Sequence, residues 1–248
     1  MTRSRKHPAL IVAGNLMYTY RWVLATYWLV FIVIYVGIGF ILRMNGTAGG
    51  DIDGQSIWEG AGSSPKIFLM VVGIMMTPLS LASFVANGIT RRHFIGGVML
   101  VIAIFAIVSS ILLTVGYPIE RAVYEMNGWP LALKNPHLFE TTRQYGWIFV
   151  ESFLLFFAYF GSGWLIGSGF YRFHWRVAIV LSALALLPAM AMEVVLYSDW
   201  MGQLLQTAFE ADRAPMPLAL SLSVIVAALT AALNYLMLRH VAIKKKLI

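Results

Sequence analysis

Glu151 and Glu193 are the residues best placed to do chemistry in this chain, because each falls inside a long apolar stretch. A carboxylate within a membrane span is costly to hold. Such residues are by default functional, as a proton or cation site, a substrate contact or a gate. Each lies about one helical turn from an aromatic boundary residue, Trp147 for Glu151 and Tyr197 for Glu193, so the two sit at similar depth. If the helices that carry them pack antiparallel, the two acids approach one another. One turn from the boundary they could also reach headgroups and water, so a functional and a solvated reading both stand at this point.

Little else has the spacing of a reaction centre. The chain has no Gly-rich phosphate loop ending in Lys-Ser or Lys-Thr, so it carries no site of its own for a nucleoside triphosphate. It lacks His-Glu-x-x-His and Gly-x-Ser-x-Gly, and its five His are scattered, so no catalytic residue and no metal site is expected. His7, His93, His174 and His240 fall beside basic segments, where solvation at a membrane surface accounts for them. Without Cys there is no disulfide, thiolate ligand or thiol nucleophile.

The elements that must position these residues are membrane helices. Hydrophobic residues make up 60% of the 248 and charged residues 12%, about half the charged share of a soluble domain; mean hydropathy is +0.77. A span needs roughly 20 apolar residues, because about 30 Å of hydrocarbon is crossed at about 1.5 Å per residue. Residues 22–42, 67–86, 94–117, 147–169, 177–197 and 218–238 meet that requirement, and they are continuously apolar without the alternation of barrel strands. The run that begins at Trp22 is too long for a signal peptide and ends in no small-residue cleavage site, so it reads as a retained first span.

The fold class predicted is an all-α integral membrane protein with six transmembrane helices. It forms one domain, with a cytoplasmic or interfacial segment 1–21, a six-helix bundle 22–238 and a basic tail 239–248. Residues 8–20, with Leu10, Ile11, Leu16, Met17 and Tyr20, are expected to form an amphipathic helix ahead of the first span. Residues 200–209, with Trp200, Met201, Leu204, Leu205 and Phe209, are expected to form an interfacial or re-entrant segment between spans five and six. The loop 43–66, rich in Gly, Ser and Asp, is expected to be mobile. Gly163-x-x-x-Gly167 permits close helix approach, within the chain or across a dimer seam. Pro78 in the second span and Pro188 in the fifth are expected to bend their helices.

Charge sets orientation. Arg3, Arg5, Lys6 and Arg21 at the start, Arg91 and Arg92 after the second span, Arg172 and Arg176 after the fourth, and Arg239, Lys244, Lys245 and Lys246 at the end stand in segments without Asp or Glu. The positive-inside rule places all four in the cytoplasm, termini included. The alternate segments carry Asp51, Asp53, Glu59, Glu120, Glu125, Glu140, Asp199, Glu210 and Asp212 against Arg43, Lys66, Arg121, Lys134, Arg143 and Arg213, and they belong outside. The net charge of +7 therefore reflects topology and contact with membrane lipids, and no nucleic-acid partner is expected.

One cytoplasmic segment says more than charge alone. In Asn87-Gly88-Ile89-Thr90-Arg91-Arg92-His93-Phe94-Ile95-Gly96-Gly97, Asn-Gly makes a turn, Thr90 can cap the next helix, and two Arg offer a cationic contact. An ordinary positive-inside turn would have the same composition. The segment resembles the coupling segment of bacterial ABC transporter permeases of the type-2 exporter superfamily. The likeness extends to chain length, six spans, an amphipathic amino-terminal helix and an interfacial or re-entrant segment before the last span.

The resemblance implies a single permease domain in a bacterial cell membrane, with no enzymatic activity and no cofactor of its own. ATP and Mg would sit on a separate cytoplasmic ATPase subunit, and a second permease copy or paralogue would complete the pathway. Gly88, Thr90, Arg91, Arg92 and Phe94 would form the surface that couples to the ATPase, and export of an amphipathic or hydrophobic peptide, lipid or drug would follow. Two other classes remain open from the residues alone: an ion-coupled carrier or membrane enzyme using Glu151 and Glu193, and a membrane sensor or assembly factor with ligand-binding outer loops.

Overall fold

The computed structural model describes residues 7–44, 56–209 and 214–242. Expectations placed on Arg3, Arg5, Lys6, Asp51, Asp53, Glu210, Asp212, Arg213, Lys244, Lys245 and Lys246 lie outside the described residues, as do the side chains of Arg43, Asp199 and Trp200. Residues 45–55 of the loop 43–66 lie outside them too, and residues 56–66 form a 3-10 turn and the start of a helix.

Among the described residues the chain is helical, without strands. The helices are α1 (Pro8–Met44), α2 (Ser63–Ala86), α3 (Arg91–Asn127), α4 (Tyr145–Arg172), α5 (Trp175–Ala185), α6 (Leu187–Leu196), α7 (Asp199–Phe209) and α8 (Met216–Leu238), with a short 3-10 turn at Trp58–Gly62 ahead of α2. Six stretches are long and apolar enough to cross a membrane: Pro8–Gly37, Trp58–Ala86, Arg91–Asn127, Tyr145–Arg172, Trp175–Leu196 and Met216–Leu238. That is the make-up of a multi-pass membrane protein.

Two boundaries differ from the sequence reading. No break separates an amphipathic helix 8–20 from the first span, because α1 is continuous over 37 residues. Val12, Ala13, Leu16 and Tyr20 are buried along one stripe, while Leu10, Ile11, Tyr18 and Trp22 are exposed. The amphipathic pattern is therefore the docked first third of one long helix, too long for the hydrocarbon core unless it tilts or projects beyond it. The fifth span is two helices, interrupted at Leu186. Pro188 has no N–H to give the carbonyl of Leu184, which explains the interruption. By contrast, α2 runs through Pro78 unbroken, and the proline itself is exposed.

Helix α4 is the axis of the bundle. Of its most apolar window 72% is buried, against 17% for α8 and 22% for α1. Its glycines explain the close fit. A methyl group at Gly163 or Gly167 would overlap the carbonyl of Met70 or Ile74 on α2, and one at Gly73 would press on the Phe160 carbonyl of α4. The Gly163-x-x-x-Gly167 spacing thus serves contact within the chain, between two helices running in the same direction. Trp164 Nε1 donates to Thr77 Oγ1 (2.8 Å), which shares a hydrogen bond with Ser168 Oγ (3.1 Å), closing polar groups that hydrocarbon could not satisfy. Asn234 Nδ2 of α8 donates to the Gly161 carbonyl at 3.0 Å.

Around this axis the outer surfaces of α1, α5 and α8 expose Leu29, Val33, Val180, Leu184, Val224 and Leu229, a surface suited to lipid. The helix ends sort into two groups. His7 meets the ring of His93 at 5.1 Å, and Arg172 Nη1 reaches the Met237 carbonyl at 2.8 Å, so the starts of α1 and α3 adjoin, as do the ends of α4 and α8. We call this the basic end, and the opposite one the acidic end.

Candidate functional site

At the basic end, the turn between α2 and α3 is built by its backbone. Gly88 takes φ +81°, a left-handed conformation that glycine adopts without strain. Ile89 N–H then donates to the Phe84 carbonyl (3.0 Å) and Gly88 N–H to the Val85 carbonyl (3.0 Å), which closes the end of α2 as a Schellman motif. Thr90 is the N-cap of α3, its Oγ1 accepting the His93 N–H at 3.4 Å and lying 2.9 Å from His93 Nδ1. Both helix ends are thus capped from within the turn itself.

The five residues of the expected coupling surface divide by exposure. Gly88, Thr90 and Arg92 are exposed, Arg91 is half-buried with its Nε enclosed, and Phe94 is fully buried beside Phe84. Phe94 therefore anchors the turn from beneath. Gly97 lets α1 come close, since a methyl there would collide with Val12. The turn and the first part of α1 are consequently one packed unit.

The acidic end holds a buried charge system. Glu59, on the 3-10 turn, accepts the N–H groups of Lys134 (2.7 Å) and Asn135 (2.6 Å) from the connection between α3 and α4. Glu151, six residues into α4, accepts the Leu138 N–H (2.6 Å) and pairs with His137 Nδ1 (2.8 Å). The other ring nitrogen of His137 lies 3.4 Å from Glu59 Oε1, so the imidazole stands between the two carboxylates. It can donate to both only as an imidazolium. His137 also stacks on Phe139 at 4.5 Å, which fixes the plane of the ring.

Nearby, Glu193 of α6 pairs with Lys66 of α2 (3.0 Å) and accepts the Tyr159 hydroxyl of α4 (2.6 Å) on the same oxygen. The side chains of Lys66 and Glu193 are 4% and 1% exposed, so this is an interior ion pair. Glu120 of α3 completes the end, accepting Ser56 Oγ (2.6 Å) and the Trp58 N–H (2.8 Å). The Trp58 indole donates to the Leu113 carbonyl (2.8 Å) and fills the groove left by Gly116.

Both acids singled out in the sequence are therefore buried, and neither is a surface group solvated at the membrane boundary. The structure gives them separate partners: the His137 ring for Glu151 and the Lys66 ammonium for Glu193. Sequence spacing could not have revealed Glu59, Lys66 and His137 as members of this site. Glu59 and Lys66 come from a 3-10 turn and the helix start that follows it, His137 from the connection between α3 and α4, and only folding brings them to Glu151 and Glu193. Among the described residues no group of His, Asp and Glu is arranged to hold a metal ion. The acidic end combines the Lys66–Glu193 ion pair with carboxylates that clamp backbone amides. Comparison of the chain with family models, curated proteins and solved structures finds no match.

Proposed function

We propose that this chain is the membrane-spanning permease subunit of an ABC exporter. It couples ATP hydrolysis on a separate cytoplasmic subunit to outward movement of an amphipathic or hydrophobic substrate such as a peptide, lipid or drug. The observation that supports this reading best is the capped turn at the basic end, which joins two spans, exposes Arg92 and is rooted in the bundle through Phe94. A push on such a turn reaches α2 and α3 through their capped ends, and α1 through the contact of Gly97 with Val12. A loose polar loop would absorb the same push.

In this reading the basic end faces the cytoplasm and the acidic end faces outward, as the distribution of Lys and Arg asks. Arg92 makes the ATPase contact, Gly88 and Thr90 shape the turn that presents it, and Arg91 contributes from a half-buried position. The helix α7 lies at the outer interface. A second copy or paralogue completes the transport path, and ATP and Mg belong to the partner.

Mild-detergent purification of the chain from its native membrane tests the proposal. A stoichiometric ATPase should co-purify, and the Arg91→Ala, Arg92→Ala double variant should lose it while still inserting and folding. Recovery of the chain without an ATPase, or normal ATP-coupled transport by the double variant, refutes the assignment.

A further inference from the structure

The two charge systems of the acidic end face a common space. Glu59, His137 and Glu151 line a cavity on one side, and Lys66, Tyr117 and Ser152 line it on others. Its volume is about 20 Å³, room for one water molecule and too little for a substrate. The lining is the kind that holds a buried water: two carboxylates and a hydroxyl that accept, an ammonium that donates, and a phenol that does either. Two to four polar partners are what such a water requires.

We propose that this cavity is a binding site for a single structural water that bridges Lys66 to Glu151. The bridge fuses the Lys66–Glu193–Tyr159 system with the Glu59–His137–Glu151 system into one network. The fusion matters because the two systems hold different parts of the molecule. Glu193 belongs to α6, the half-span beyond the interruption at Leu186, whereas Glu59 and Glu151 clamp the backbone N–H groups of Lys134, Asn135 and Leu138 in the connection that covers the acidic end. With the water in place, charge lost at α6 loosens the amide clamps on the cover, although Glu193 itself bonds none of those amides. In a low-dielectric interior such chains of hydrogen bonds reinforce one another. This inference does not depend on the ABC reading, since it concerns how one chain holds its own acidic end.

Hydrogen–deuterium exchange on the full chain in lipid nanodiscs tests it. In Glu193→Gln, which keeps the size of the side chain and removes its charge, and in Lys66→Met, the amides of Lys134, Asn135 and Leu138 should exchange about tenfold faster or more, while the centre of α4 keeps its protection. Cover amides that exchange as in the parent protein, or that accelerate only in step with α4, overturn the proposal. Should Lys66→Met fail to fold, Glu193→Gln alone decides. High-resolution density provides a second readout: a water within hydrogen-bond distance of Lys66 Nζ and a Glu151 oxygen is required, and a cavity without one refutes the bridge.

Discussion

The two ends of the bundle use charge in opposite ways. At the basic end Arg92, Arg172, Arg176 and Arg239 are exposed, and the turn that carries Arg92 is held by backbone hydrogen bonds and one buried aromatic ring. At the acidic end Glu59, Lys66, His137, Glu151 and Glu193 are all buried, and the structure there depends on their mutual pairing. Apart from Arg172, which also bonds the Met237 carbonyl, such exposed charge can be removed with little consequence for the fold, because water and lipid headgroups are available as its partners. Buried charge cannot, because deleting one partner leaves the other desolvated and alone. The acidic end therefore holds the chain together, while the basic end is the one that the proposed reading assigns to a partner protein.

Removing the ammonium of Lys66 should break this comparison hardest. Lys66→Met leaves Glu193 buried without its cation and should destabilise the protein by about 3–5 kcal/mol, seen as a large drop in unfolding temperature in detergent. A drop equivalent to less than about 1 kcal/mol would mean that water reaches the pair and that the two ends differ little. A smaller effect is expected from Gly116→Ala, where the new methyl meets the indole of Trp58. Overpacking of this kind costs about 1–3 kcal/mol, and partial restoration by Trp58→Leu in the same chain would confirm that the collision is the cause. The smallest effect belongs to Arg92→Ala, which should leave the unfolding temperature of the isolated chain unchanged. A marked loss of stability there would give Arg92 a structural role and remove the contrast on which its assignment as a contact rests.

Much of the architecture was legible in the sequence because hydrocarbon leaves so few options. Every backbone polar group must be satisfied within the segment, so an apolar run of sufficient length becomes a helix whatever its neighbours do. The six apolar stretches, the Asn87-Gly88 turn and the Thr90 cap follow from local composition, and all appear in the structure. Even the Gly163-x-x-x-Gly167 spacing marked a close helix contact correctly, though spacing alone left open which helix would fill it. The reading erred where a local signal had two structural outcomes. Residues 8–20 are amphipathic because they dock on α3 as part of a continuous α1.

Legibility fell off sharply at the acidic end. Glu151 and Glu193 stood out because they interrupt apolar runs, but His137 and Glu59 sit among polar residues in connections, where nothing local sets them apart. Glu59 is 75 residues from one of the N–H groups it accepts, and Lys66 is 127 residues from Glu193. By itself the sequence determined the six apolar spans and the segregation of basic from acidic connections, because each depends on the free energy of a short segment in lipid or water. Which carboxylate meets which cation was decided only by the tertiary structure, because pairing energy depends on distances across helices that close packing around α4 alone establishes.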